Sequence, residues 1–232
     1  MIDDKMLILD DLSVWYTPGK PVLEHLSVEF GENEVIGLIG LNGAGKTTFI
    51  KTLSGLLSTF QVKAAWWQGN SFMFRDRDFK KDRYTVFAED HSFQFFTFRE
   101  YASYVAASYG KKLSDMDELI RGFHFEEYTD SLLKELSTGN LKKAYLITAF
   151  ALKPKLLILD EPVNGLDFQS IEYLYQQIGS YRQYGTILFS SHILESICLT
   201  SDRAVVLEQG QIKRCFAGQE IEPEKMREVL KE

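Results

Sequence analysis

The chain lacks the marks of several large protein classes. It has two cysteines, Cys198 and Cys215, and neither sits in a metal-ligand spacing. That argues against a disulfide-stapled secreted scaffold and a cysteine zinc site, and it reads as reduced thiols in a cytosolic protein, with a single disulfide as the alternative. No apolar run approaches the roughly 20 residues needed to cross a bilayer. The opening Met1-Ile2-Asp3-Asp4-Lys5 is acidic and has no basic, then apolar, signal-peptide pattern. A membrane role would therefore be exercised from the cytoplasm, through a partner. Positive charge is not in excess: 26 Lys and Arg stand against 33 Asp and Glu, a net charge of -7. A nucleic-acid binder usually carries a basic face, so no nucleic acid is expected as partner. Repeats, low-complexity tracts and linkers are also absent. What remains is the composition of a soluble globular protein, with 45% hydrophobic and 25% charged residues. Its 232 residues suffice for one large or two modest domains with a substantial core.

Against that background one motif stands out. Gly40-Leu41-Asn42-Gly43-Ala44-Gly45-Lys46-Thr47-Thr48 fits the phosphate-binding loop pattern G-x-x-x-x-G-K-[ST]. Glu34 to Ile39 before it is apolar and strand-like. Thr48 to Leu57 after it spaces Phe49, Ile50, Leu53, Leu56 and Leu57 as a helix does. A strand feeding a glycine loop that opens a helix is the context the motif needs. The glycines let successive N–H groups turn toward phosphate oxygens, and the helix N-terminus adds partial positive charge. Lys46 supplies a cation for the β- and γ-phosphates, and Thr47 a hydroxyl for Mg2+. The expected ligand is a nucleoside triphosphate.

The rest of the chain reads as mixed α/β. Residues 6–36 carry two strand patterns separated by the turn Thr17-Pro18-Gly19-Lys20-Pro21, the second closed by Gly31. Further strands are expected at 62–67 and 83–88. Residues 98–135 are helical in pattern. They comprise a helix from Arg99 to Tyr109 ended by Gly110, a second capped by Ser114, and a third from Glu126 to Leu133. This stretch interrupts the β/α alternation and reads as an inserted lobe. Leu156-Leu157-Ile158-Leu159 and Gly185 to Ser190 are apolar runs of the kind found in strands buried on both faces of a parallel sheet. With Phe168 to Tyr184 as a helix between them, they make a βαβ unit. Residues 203–216 suggest a terminal hairpin, and Pro223 to Leu230 a last helix.

The first of those apolar runs continues into Asp160-Glu161-Pro162. An acid at the end of a buried strand opposite a phosphate loop suits Mg2+ coordination, a role for Asp160. Glu161 is placed to polarise a water for attack on the γ-phosphate. Leu136-Ser137-Thr138-Gly139-Asn140 lies just before the helix that leads to this strand. It resembles the LSGGQ signature of ATP-binding cassette (ABC) proteins. Asn164-Gly165-Leu166-Asp167 resembles their D-loop, His192 in Ser190-Ser191-His192 their switch histidine, and Tyr16 the aromatic platform that stacks on adenine. The resemblance covers nearly the whole chain, in the family's order, and is most like the nucleotide-binding subunits of bacterial ABC exporters with separate membrane subunits.

Several expectations follow from that resemblance. The fold is α/β: a P-loop NTPase core with an N-terminal antiparallel β subdomain and an inserted α-helical subdomain. Residues 1–232 form one ABC ATPase domain, with 1–90 and 153–232 as β-subdomain plus core and about 91–152 as helical subdomain. The activity is ATP hydrolysis with ATP and Mg2+, coupled to transport at the cytoplasmic face of the membrane. Glu161, His192 and Lys46 are catalytic. Tyr16, residues 40–48, Ser137 and Gly139 bind ATP, the last two across an interface of identical or related chains. Thr47, Asp160 and Glu89 hold the metal, with Glu89 where the family's Q-loop glutamine is common and Gln94 as the alternative. The partners are transmembrane subunits, docked through a groove near Ser92-Phe93-Gln94-Phe95-Phe96-Thr97-Phe98 unless those phenylalanines are core. The chain leaves no room for the C-terminal regulatory domain of many sugar importers, and with Glu89 this points to export. Thr138 for glycine and Asn140 for glutamine depart from the signature. A soluble non-transport ABC ATPase and an ATP-binding regulatory module remain alternatives. His25, His91 and His124 form no constellation.

Overall fold

The computed structural model describes residues 5–230; the acidic opening at residues 1–4 and the last two residues lie outside them. The chain forms β1 (Lys5–Thr17), β2 (Lys20–Gly31), β3 (Val35–Ile39), α1 (Lys46–Leu53), β4 (Phe60–Trp67) and β5 (Asn70–Ser71). Next come α2 (Arg77–Asp82), β6 (Arg83–Val86), α3 (Phe98–Tyr109), α4 (Met116–Gly122), α5 (Thr138–Leu152) and β7 (Leu156–Leu159). The chain closes with α6 (Phe168–Ser180), β8 (Thr186–Ser191), α7 (Leu194–Thr200), β9 (Arg203–Glu208), β10 (Gln211–Ala217) and α8 (Pro223–Val229).

These strands make two sheets. One is antiparallel, in the order β2-β1-β4-β5; the other runs β10-β9-β3-β8-β7-β6. In the second sheet β3, β6, β7, β8 and β9 are mutually parallel and β10 returns antiparallel at the edge. Its central strands are buried on both faces, so alternate side chains enter two different cores. Ile36, Leu38, Ile158, Leu188 and Val205 face the antiparallel sheet and α1, whose Phe49, Ile50 and Leu53 fill the space between the sheets. Val35, Ile39, Leu157, Ile187 and Phe189 face the core built with α3, α5 and α6. The parallel sheet thus aligns the C-terminal ends of β3, β7 and β8 on one edge, where ligands of open α/β sheets bind.

Five local expectations need correction. The third helix of the insertion does not form. Residues 126–128 and 133–135 are single 3-10 turns, because backbone pairing holds the segment against the chain entering α3: Thr97 bridges Leu132, and the Leu133 and Lys134 N–H groups donate to Phe96 O and Gln94 O. Ser114 does not cap α4. Its N–H donates to Ala151 O at 3.0 Å, and Asp115 takes the cap position with φ 59 and no capping bond. The helix after the phosphate loop begins at Lys46 and stops at Leu53, short of Leu57, as the chain turns at Gly55. The helix expected to reach Tyr184 ends at Ser180, and the fully buried Tyr181 donates its hydroxyl to Pro154 O at 2.7 Å. The strand expected at 83–88 ends at Val86.

Candidate functional site

At the end of β3 the backbone leaves the sheet and curls back into α1. Gly45 occupies the cap position with φ 107, a conformation that an L side chain resists. No side chain caps α1, so its first backbone donors carry no side-chain partner. Orphan N–H groups at a helix N-terminus are an anion site. Lys46 is only 7% exposed. Its Nζ folds over the loop, donates to Gly40 O at 2.7 Å and lies 3.6 Å from Glu161 Oε1.

The carboxylates come from β7. Register does the positioning: Leu159 lies beside Phe189 of β8, which sets Asp160 against Ser190. Asp160 is buried. Its Oδ2 accepts from Thr47 Oγ1 at 3.1 Å and its Oδ1 from Ser190 Oγ at 2.7 Å. The Glu161 N–H donates to the same Ser190 Oγ at 2.8 Å. Glu161 has φ 45, the left-handed region, which costs a non-glycine residue about 1–2 kcal/mol. Strain of this kind persists where surrounding contacts over-determine it, and here they are Lys46, Ser190 and His192. His192 Nδ1 lies 2.8 Å from Glu161 Oε2. The Thr47–Asp160 pair offers only hard oxygen donors. No group of three or more His, Cys, Asp or Glu residues able to hold a metal occurs among the described residues. That donor set fits Mg2+, which is usually bound by one or two carboxylates plus phosphate and water.

A second corner forms elsewhere in the chain. Ser137 caps α5, accepting from the Asn140 N–H at 3.2 Å. A Cβ on Gly139 would fall 2.3 Å from Gly165 O, so only glycine allows residues 137–139 and 164–167 to lie together. Asp167 caps α6, accepting from the Ser170 N–H and Oγ, both at 2.9 Å, and pairs with Lys143 Nζ at 2.6 Å. Burial works to raise the Asp167 carboxyl, but Lys143 and Ser170 outweigh it and hold the group well below the usual carboxylate range. No hydrogen bond or ion pair joins this corner to Lys46 or Thr47 among the described residues.

Comparison with known proteins agrees with this layout. The family model for the ABC transporter matches residues 23–164. The putative ABC transporter ATP-binding protein AlbC of Bacillus subtilis (strain 168) is 38% identical over 218 residues, covering 90% of this chain and 91% of that one. The chain belongs to the ABC transporter ATP-binding family. The energy-coupling factor transporter ATP-binding protein EcfA2 of Clostridium perfringens (strain 13 / Type A) is 30% identical, covering 88% of this chain and 77% of that one. Among solved structures, one titled as the ATP binding subunit of an ABC transporter superposes with a TM-score of 0.84 at 29% identity, covering 97% of this chain and 94% of that one. The protein is an ABC ATP-binding subunit, and its enzymatic activity is that of an ATPase. No helix among the described residues is long and apolar enough to cross a membrane.

The remaining expected residues of this ABC subunit fall as follows. Tyr16 is 53% exposed, with its hydroxyl 3.4 Å from Thr48 Oγ1, so its ring stands beside the phosphate loop rather than in the core. Glu89 is exposed, in the chain beyond β6. No hydrogen bond links it to Thr47 or Asp160 among the described residues. Gln94 accepts a backbone bond from Lys134. The phenylalanine run divides: Phe98 is core, Phe96 is half-buried, and Phe93 and Phe95 are exposed. Phe93 belongs to a groove of about 640 Å3, with Tyr101 and Tyr104 beside it and Arg77, Lys80 and Lys81 also lining it. Trp67 is buried and donates Nε1–H to Asp82, while Trp66, on the other face of β4, is half-exposed. Sequence reasoning missed Ser190 and Lys142. Ser190 was visible as a hydroxyl ending an apolar strand, but its partners depend on the β7–β8 register.

Proposed function

We propose that this subunit binds ATP and Mg2+ in two half-sites that are completed when a second copy or a related chain packs against it. One observation carries the reading. Lys46, Thr47, Asp160, Glu161 and His192 form one network, joined through Ser190, while among the described residues Ser137 and Gly139 make no hydrogen bond or ion pair to any of them. A helix N-terminus with no bond to its own phosphate loop suits a γ-phosphate presented by the partner. Tyr16 stacks on adenine, and the backbone of residues 40–48 with Lys46 holds the phosphates. Thr47 and Asp160, with Glu89 from the Q-loop position, hold the metal, which neutralises phosphate charge. Glu161 polarises the attacking water and His192 keeps that carboxylate aimed. Residues 91–152 act as a helical subdomain around a core formed by the rest.

The groove between α2 and α3 is the seat for a helix of separate transmembrane subunits, and the protein works at the cytoplasmic face of the membrane. Its aromatic side would hold an apolar helix face. The proposed direction is export, on the resemblance at Glu89. The test is ATPase rate and sedimentation mass for the wild type and Glu161→Gln, with and without Mg-ATP. The expected result is a wild type that turns over ATP and a variant that does not, yet binds ATP and sediments as a dimer. ATP binding by the variant with no change of mass would overturn dimerisation of identical chains.

A further inference from the structure

Lys142 is 4% exposed, and the phosphate site described above makes no use of it. It sits early in α5, five residues beyond the Ser137 cap. Its Nζ donates to Phe87 O at 2.6 Å and to Ala88 O at 2.7 Å. Those carbonyls belong to the chain just past β6, immediately before Glu89. Val86 O, the last of the strand, accepts from the Asp160 N–H at 2.8 Å. The loop that carries Glu89 is therefore held on one side by the metal-binding strand end and on the other by a lysine of the signature helix. The next residue, Lys143, reaches the Asp167 cap instead. Consecutive lysines thus tie one helix to two different loops.

A buried ammonium is an expensive way to hold two carbonyls. Desolvation lowers the Lys142 amine to about 8, while the carboxylates of Asp160, Asp90, Glu89 and Glu161 pull it the other way. A methionine would fill the same stem volume without that cost. The charge is spent on fixing backbone position, beside the groups that meet the phosphates.

We propose that Lys142 is a positioning residue for ATP hydrolysis: by clamping the Phe87 and Ala88 carbonyls it sets where Glu89 stands relative to the Thr47–Asp160 pair. The inference rests on the metal-site reading of Glu89 given above. It predicts that the lysine acts through Glu89 and has little effect without it.

The test is a double-mutant cycle on the full chain. Lys142→Met and Lys142→Arg are made alone and together with Glu89→Ala. Two quantities are read: the Mg2+ concentration that half-saturates the gain in ATP affinity, by calorimetry, and kcat with KM for ATP. Lys142→Met is expected to raise the half-saturating Mg2+ about fivefold and to lower kcat about tenfold. Metal-free ATP affinity should stay within about twofold, and Lys142→Arg should recover most of the loss. In the Glu89→Ala background Lys142→Met should change either quantity by less than about twofold. Equal losses in both backgrounds would overturn the proposal while leaving the Glu89 reading intact. A silent Glu89→Ala would overturn the Glu89 reading itself. If Lys142→Met does not fold, Lys142→Gln, which keeps N–H donors but no charge, enters the same cycle with the same criteria.

Discussion

The N-termini of α1 and α5 use the same physics in opposite states of readiness. Both end in glycine-bearing loops and both point partial positive charge outward. At α1 no side chain caps the helix, and Lys46 is folded over the loop between Gly40 O and Glu161. At α5 the cap is already made, by Ser137 to the Asn140 N–H, and Gly139 is packed on Gly165. An anion meeting α1 finds unsatisfied donors. An anion meeting α5 competes with an existing bond. On the proposed reading, the first end holds a phosphate alone and the second responds to one brought by a partner.

The largest expected effect is at the first end. Lys46→Ala removes the cation and its ion pair with Glu161. Charge-assisted hydrogen bonds contribute about 1.5–3 kcal/mol, so ATP affinity in the monomer should fall by roughly 10- to 150-fold, read by calorimetry. Gly139→Ala should act only at the second end. Its Cβ meets backbone at 2.3 Å, which cannot swing away. Overpacking costs about 1–3 kcal/mol, so the thermal midpoint should drop and the ATP-dependent dimer should disappear, with monomer ATP affinity unchanged. A matching loss of monomer affinity would erase the distinction between the ends.

Ser137→Ala should be milder, costing about 1 kcal/mol of stability as a lost cap and weakening the ATP-dependent dimer in sedimentation. The smallest effect concerns Asp167. Its carboxyl is held below the usual range by Lys143 and Ser170. The stability it adds is therefore present at neutral pH and lost as pH falls below about 4. Asp167→Asn should flatten the acid limb of thermal midpoint against pH. An unchanged slope would mean the pair contributes nothing there.

The two ends were also unequally legible. The α1 site is local: a strand, a loop and a helix contiguous in sequence, with residue types that admit few other uses. Asp160 and Glu161 were legible for a similar reason, as acids ending a four-residue run of buried aliphatics. The insertion was harder. Its third helix gave way to 3-10 turns because Thr97 pairs with Leu132, a contact no local pattern contains. Ser114 was a plausible cap in sequence, yet it bonds Ala151 at the far end of α5. The division of the phenylalanine run into core Phe98 and exposed Phe93 and Phe95 likewise depended on how α3 lies on the sheet.

The amino-acid order by itself determined the family, the nucleotide class of ligand and the residues proposed to meet it. Those follow from short-range rules: glycine where the backbone must turn sharply, a lysine and hydroxyl at the helix start, acids at a strand end. Only the tertiary structure decided which hydroxyl joins Asp160 to Glu161, which lysine holds the loop before Glu89, and that no hydrogen bond or ion pair joins Ser137 or Gly139 to Lys46 among the described residues. Each depends on sheet register or on a helix crossing between distant segments, and the energies there come from contacts that exist only once the two cores have closed.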